Sequence, residues 1–144
     1  MLDQQTISDR IEIADLLTRY TRAIDTGEWD RLDEVFTADA EIDYTSTGGI
    51  RGGYPEVKAW LAQNLPMFPR RQHVLGQREV LLDGDPARTG RVTAYFLNPM
   101  VLPQQDGSEL LWEFGGLYHH DLVRTEAGWR SRGLVEELCW KRGL

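Results

Sequence analysis

The chain has 144 residues, 41% hydrophobic and 27% charged, which fits one domain over 1–144 with a sizeable core. A formal net charge of -7 excludes a surface built to neutralise nucleic-acid phosphates or anionic lipid headgroups. One cysteine, Cys139, excludes an intrachain disulfide; without zinc-finger spacing, a basic-apolar leader or a span-length apolar run, a cytoplasmic protein is expected.

In chain order, Ile7, Ile11, Leu16, Leu17, Tyr20 and Ile24 form one apolar stripe and predict a helix over 6–25, capped by Thr6 or Ser8 and ended by Thr26-Gly27. Trp29, Leu32, Val35 and Phe36 mark the buried side of a second short helix over 28–36. Thr37-Ala38-Asp39 reads as a turn and Glu41–Thr45 as a strand. Gly48-Gly49 and Gly52-Gly53 bracket a loop or a very short strand. Pro55 opens a third helix, which Pro66 and Pro69 end. Four long strands follow, over 72–82, 88–101, 109–124 and 129–140, joined by hairpin loops at 83–86, 105–107 and 126–128. Interior glycines at Gly76 and Gly115-Gly116 predict a bulged, strongly bent sheet. The class is α+β: three N-terminal helices against a strongly curved, mostly antiparallel sheet that encloses a pocket.

Several polar residues fall inside otherwise apolar segments. Asp25 stands at the junction of the first two helices, either a solvated helix end or an acid at the mouth of the core. His73, in a strand-like segment, is a proton shuttle or a histidine satisfying a buried hydrogen bond. Tyr20 and Tyr44 can donate to a carbonyl that becomes enolate-like, or pack as core aromatics. Asn98 can hold a hydroxyl or carbonyl, with Pro99 after it pointing to a bent strand near the rim. Trp112, Phe114 and Tyr118 share one strand face and, with Met100, form a pocket wall or simply core. His119-His120 cannot chelate together, because adjacent strand residues face opposite ways. Asp83-Gly84-Asp85 lacks calcium-loop spacing, and no phosphate loop or dinucleotide fingerprint is present, so neither metal nor cofactor is expected.

Arg19-Tyr20-x-x-Ala23-Ile24-Asp25-x-Gly27-Glu28-Trp29-Asp30-x-Leu32, Ile42-Asp43-Tyr44, Gln72-His73-Val74-Leu75-Gly76 and Gly128-Trp129-Arg130 together resemble the SnoaL-like branch of the NTF2-like superfamily. Scytalone dehydratase and bile acid 7α-dehydratase belong to that branch. The resemblance runs from about Ile7 to Trp140 and implies a cone with a deep pocket. It places Asp25 at the pocket aspartate, His73 at the catalytic histidine, and Tyr20 and Tyr44 at pocket tyrosines. It departs at Ile24, where scytalone dehydratase has tyrosine, at Asn98, where a second histidine falls, and at Tyr118, where asparagine falls. The implied activity is a cofactor-independent lyase, a dehydratase or cyclase, acting by acid-base catalysis on a small, largely apolar, oxygenated compound of polyketide or steroid type. Either His73 or Asp25 serves as base. The alternatives on the same fold are a noncatalytic small-molecule binder, an epoxide hydrolase and a ketosteroid-type isomerase. A homo-oligomer, trimer or dimer, is also expected.

Overall fold

A computed structural model describes residues 1–143. The first helix, α1, spans Gln4–Thr26, longer at its start than the stripe alone predicts. Its cap is Asp3, not Thr6 or Ser8: the Asp3 carboxylate accepts from the Thr6 amide at 2.7 Å. Gly27 ends it at φ 74°, the left-handed conformation that glycine adopts freely. The expected second helix is a single 3₁₀ stretch, Trp29–Glu34, so among the described residues two α-helices stand where three were expected. Its apolar residues still turn inward, Leu32 completely.

The expected turn at Thr37-Ala38-Asp39 is instead the polar first half of strand β1, Phe36–Asp43. Its residues read as a turn because this half is partly exposed and its register breaks between Phe36 and Glu41. Strand β2, Arg51–Gly53, is three residues long, and α2 covers Tyr54–Asn64 with proline in its first turn. Then come β3, Arg70–Arg71; β4, Val74–Gly84; β5, Ala87–Pro103; β6, Glu109–Thr125; and β7, Gly128–Arg142.

The strands form one sheet in the order β2-β1-β7-β6-β5-β3, with β4 also on β5. All pairs are antiparallel except β1 with β7, which is parallel. Register shifts fall between Leu75 and Arg78 and between Gly115 and Gly116, where the glycines predict bending. Gly116 is favoured by geometry, because a Cβ there would collide with the Glu137 carbonyl oxygen.

The helices cover the concave face. Leu16, Tyr20, Ala23 and Ile24 of α1 meet Phe96, Tyr118, Leu122 and Leu134 of the sheet in one continuous core. A polar clasp fixes α1 to the β6–β7 hairpin. Buried Asp9 accepts from Trp129 Nε1 at 3.1 Å and from Arg124 at 2.7 Å, and Glu12 accepts from the Trp129 amide at 2.7 Å. Burial opposes ionisation of Asp9, but the bonds from Trp129, Arg124 and Gln5 outweigh it and hold its carboxyl below the usual range. No helix among the described residues is long and apolar enough to cross a membrane.

Candidate active site

Tyr20 and Ile24 lie one turn apart on the buried face of α1, and Asp25 follows at its last turn. A carboxylate at the negative end of a helix is unfavourable without compensation. Here His73 provides it twice. Its backbone amide donates to one Asp25 oxygen at 2.8 Å, and its ring Nδ1 meets the other at 2.6 Å. His73 occupies the two-residue gap between β3 and β4, not a strand as the sequence predicts. Standing outside the ladder leaves its N–H free for the carboxylate. Because a carboxylate can only accept, this pairing puts the imidazole proton on Nδ1 and leaves Nε2 as the basic nitrogen. Nε2 makes no hydrogen bond among the described residues.

Arg71 completes the support. Its guanidinium donates to the carbonyl of Ile24 at 2.8 Å and to that of Phe68 at 2.9 Å, and lies 5.5 Å from the centre of the Trp29 ring. It satisfies a carbonyl in the last turn of α1 and brings positive charge near Asp25. Sequence reasoning missed it, because Arg70-Arg71 reads as an ordinary solvated pair.

His73 opens onto a cavity of about 250 Å³. Tyr20, Tyr44, Asn98, Met100, Trp112, Phe114 and Tyr118 all line it. Asp25 does not; it stands behind His73 and reaches the cavity through that residue. The tyrosines are coupled to one another. The Tyr20 and Tyr44 hydroxyls are 2.5 Å apart, and Tyr118 meets Tyr20 edge-on at 5.4 Å and stacks on Phe96 at 4.1 Å. Burial, with the neighbouring hydroxyls and Glu136, raises the Tyr20 and Tyr118 hydroxyls far above the usual tyrosine range, and burial raises Tyr44 as well. All three stay protonated and can donate. Asn98 lines the cavity, and its Oδ1 is a buried acceptor with no hydrogen-bond partner. Trp60, Leu61, Leu65 and Phe68 supply apolar wall from the α2 side.

One further lining residue, Glu136 of β7, escaped the sequence reading. It lies opposite Tyr118 in the β6–β7 register, and its Oε1 accepts from Thr47 Oγ1 at 2.5 Å. Burial pushes its carboxyl up to about 7, and Asp43 adds to this, while hydrogen bonds from Thr47 and Tyr118 oppose it. Strand alternation counted from buried Leu134 would have found it, two residues on and on the same face.

His119 and His120 face opposite sides. His119 meets Thr93 and Glu137 on the outer surface, and His120 is buried against Ser131. Burial drives the His120 pKa down to about 3, so it is a neutral core residue. No group of three or more His, Cys, Asp or Glu among the described residues could hold a metal ion.

The two helices cover a curved sheet and a histidine–aspartate pair stands beside the cavity, and residues 5–134 match the family model for the SnoaL-like domain. The chain belongs to that family. It is 48% identical over 143 residues to uncharacterized protein Rv2910c of Mycobacterium tuberculosis (strain ATCC 25618 / H37Rv), covering 99% of this chain and 93% of that one. In fold it is similar to a putative scytalone dehydratase from Novosphingobium aromaticivorans DSM 12444, with a TM-score of 0.85 at 11% identity, covering 99% and 92% of the two chains. It is also similar to hexachlorocyclohexane dehydrochlorinase LinA-type3 from Novosphingobium barchaimii LL02, with a TM-score of 0.80 at 19% identity, covering 99% and 94%. At those identities the likeness is one of fold. The architecture is thus the NTF2-like α+β fold that the resemblance implies, with two α-helices and not three among the described residues.

Proposed function

We propose that the protein is a cofactor-independent lyase acting on a small, largely apolar compound that carries a carbonyl. In this reading His73 Nε2 removes a proton from the carbon next to that carbonyl. Asp25 is a positioning residue: it fixes the Nδ1–H tautomer and stabilises the imidazolium that forms. The Tyr20–Tyr44 hydroxyl pair donates to the carbonyl oxygen as negative charge develops there. Asn98 accepts from a substrate hydroxyl, and Met100, Trp112, Phe114 and Tyr118 grip the carbon skeleton. A homo-oligomer formed through the convex sheet face completes the proposal.

The observation that carries this reading is the His73–Asp25 pair, with both carboxylate oxygens engaged and Nε2 left free beside an apolar cavity. Fold likeness to proteins described as a dehydratase and a dehydrochlorinase supports it, since both names denote eliminations. The cavity volume, near 250 Å³, favours a ligand of one or two rings.

The test uses a ketone with no leaving group. In D2O the wild-type protein should catalyse hydrogen–deuterium exchange at the α-carbons of 4-phenylbutan-2-one, followed by proton NMR. His73→Ala should lose roughly 10²–10⁴ of that rate, the range of a general acid-base group. Exchange undiminished in His73→Ala would sink the base assignment. Ligand binding with no exchange by the wild-type protein would leave a noncatalytic binder.

A further inference from the structure

The polar half of the cavity carries an asymmetry. His73 and Glu136 are its two ordinary proton-exchanging side chains, and no lysine or arginine lines it among the described residues. They enter from different parts of the sheet. His73 precedes β4, on the β5 side, whereas Glu136 is on β7, beyond β6. Tyr118 stands between them, its ring 6.2 Å from that of His73 and its backbone paired with Glu136. Resting on the lyase reading above, we propose that Glu136 is the acid that protonates the leaving group, and that the substrate therefore loses a hydroxyl as water, not a halide.

A departing halide is an anion, and in a site of low polarity it needs a cation or several strong donors to receive it. Beyond the His73 imidazolium that forms in the step and the tyrosine hydroxyls, of which the Tyr20–Tyr44 pair serves the carbonyl, this cavity meets it with Glu136, with the Asp43 carboxylate close behind, and with no lysine or arginine. A departing hydroxyl needs the opposite, a proton delivered as the C–O bond breaks. Glu136 is built for that. It is 7% exposed, Thr47 holds one carboxyl oxygen, and the Ser46 hydroxyl donates to its backbone carbonyl at 2.7 Å, so the side chain has a fixed seat. The groups that face it are Tyr118 from β6, Thr47 from the short 3₁₀ stretch Thr45–Thr47 and Tyr44 that caps it, Tyr20 from α1 and Asp43 from β1. None is cationic. Burial, helped by the Asp43 charge, outweighs the Thr47 and Tyr118 hydrogen bonds and keeps the carboxyl protonated to near neutral pH, while the tyrosines hold their protons too firmly to give them up.

In the step, His73 Nε2 takes the proton on the carbon next to the carbonyl, and that electron pair becomes the C=C bond. The C–O bond breaks with its pair passing to oxygen, and the oxygen takes the Glu136 proton and leaves as water. Nothing is oxidised or reduced. The imidazolium then releases a proton to solvent, and the carboxylate recovers one. Two groups thus divide the work, where a single imidazole would have to perform both transfers on one face of the substrate.

Glu136→Gln keeps the shape and the acceptor for Thr47 but cannot deliver a proton. The probes are 4-hydroxy-4-phenylbutan-2-one and its 4-chloro counterpart, both read by growth of the conjugated enone absorbance. Glu136→Gln should lose roughly 10²–10⁴ in kcat/KM on the hydroxy ketone but less than about tenfold on the chloro ketone, whose leaving group needs no proton. His73→Ala should lose on both. Equal losses of Glu136→Gln on the two probes, or no loss on the hydroxy ketone, would overturn the proposal. So would a wild-type protein inert toward the hydroxy ketone while it exchanges the α-protons of 4-phenylbutan-2-one, and in that case His73 stands as base and the leaving-group assignment alone falls. Absence of both activities sinks the lyase reading and this inference with it.

Discussion

Replacing Glu136 by glutamine should make the protein more stable at alkaline pH and close to neutral in effect at acidic pH. The Glu136 carboxyl titrates near 7 when folded, against 4.5 when unfolded, chiefly because it is buried. Between those values the folded state holds a proton that the unfolded state has released. Stability from this group is therefore lost as pH rises from about 4.5 and levels off above about 7. Between pH 5 and pH 8 the linkage amounts to about 2–3 kcal/mol, which corresponds to about 5–10 °C in Tm for a chain of this size. Glutamine does not titrate, so its variant should show no such loss. Groups that do not interact with Glu136 are common to both proteins and cancel in the difference. Thermal unfolding followed by circular dichroism at pH 5, 6, 7 and 8 measures the gap between wild type and variant. A gap that widens with pH supports a buried, protonatable carboxyl. A gap that stays constant across that range would mean that Glu136 ionises as in water, and the reasoning from its burial would fail.

Asp9→Ala should destabilise the fold by about 3 kcal/mol, because it leaves Arg124 and the buried Trp129 indole N–H without their acceptor, and urea unfolding measures it. Gly116→Ala should cost at least about 2 kcal/mol, since its methyl meets the Glu137 carbonyl, a backbone atom that no rotamer change can move; a variant as stable as wild type in the same titration would contradict this. The convex face exposes Tyr95, Leu97, Val135 and Trp140, and light scattering should give a multiple of the 16.5 kDa chain mass at micromolar concentration, whereas a mass near one chain would count against the proposed oligomer.

The long β segments were legible because their apolar runs are bounded by Asp-Gly and Gly-containing hairpin loops, and the observed strands end within a few residues of those bounds. The start of β1 was not. Thr37-Ala38-Asp39 carries no alternation, since that half of the strand is partly exposed and pairs irregularly with β7. The 3₁₀ stretch after α1 has helical spacing over too few residues to separate the two helix types. In the candidate site, His73 and Asp25 stood out as polar residues in apolar company, and the family resemblance set them together. Their relation, with the aspartate behind the histidine and outside the cavity, depends on how the 69–74 segment returns to the end of α1, which local sequence does not encode. Glu136 was hidden by its neighbours. Val135-Glu136-Glu137 looks like a solvated edge, yet Val135 is the exposed residue and Glu136 the buried one, because the register is fixed by Leu134 and by the bulges of β6 and β7.

In the proposed reaction His73 and Asp25 act as one unit on a carbon-bound proton. The measurement that tests it most directly is a double-mutant cycle on α-proton exchange of 4-phenylbutan-2-one in D2O, using His73→Ala, Asp25→Asn and both together, with folding checked by circular dichroism. Each single variant should lose roughly 10²–10⁴ in rate, and the double variant little more than the worse of the two, as residues that share one function do. Losses that multiply in the double variant, or an Asp25→Asn protein that exchanges at the wild-type rate, would mean that the two residues do not work as a pair.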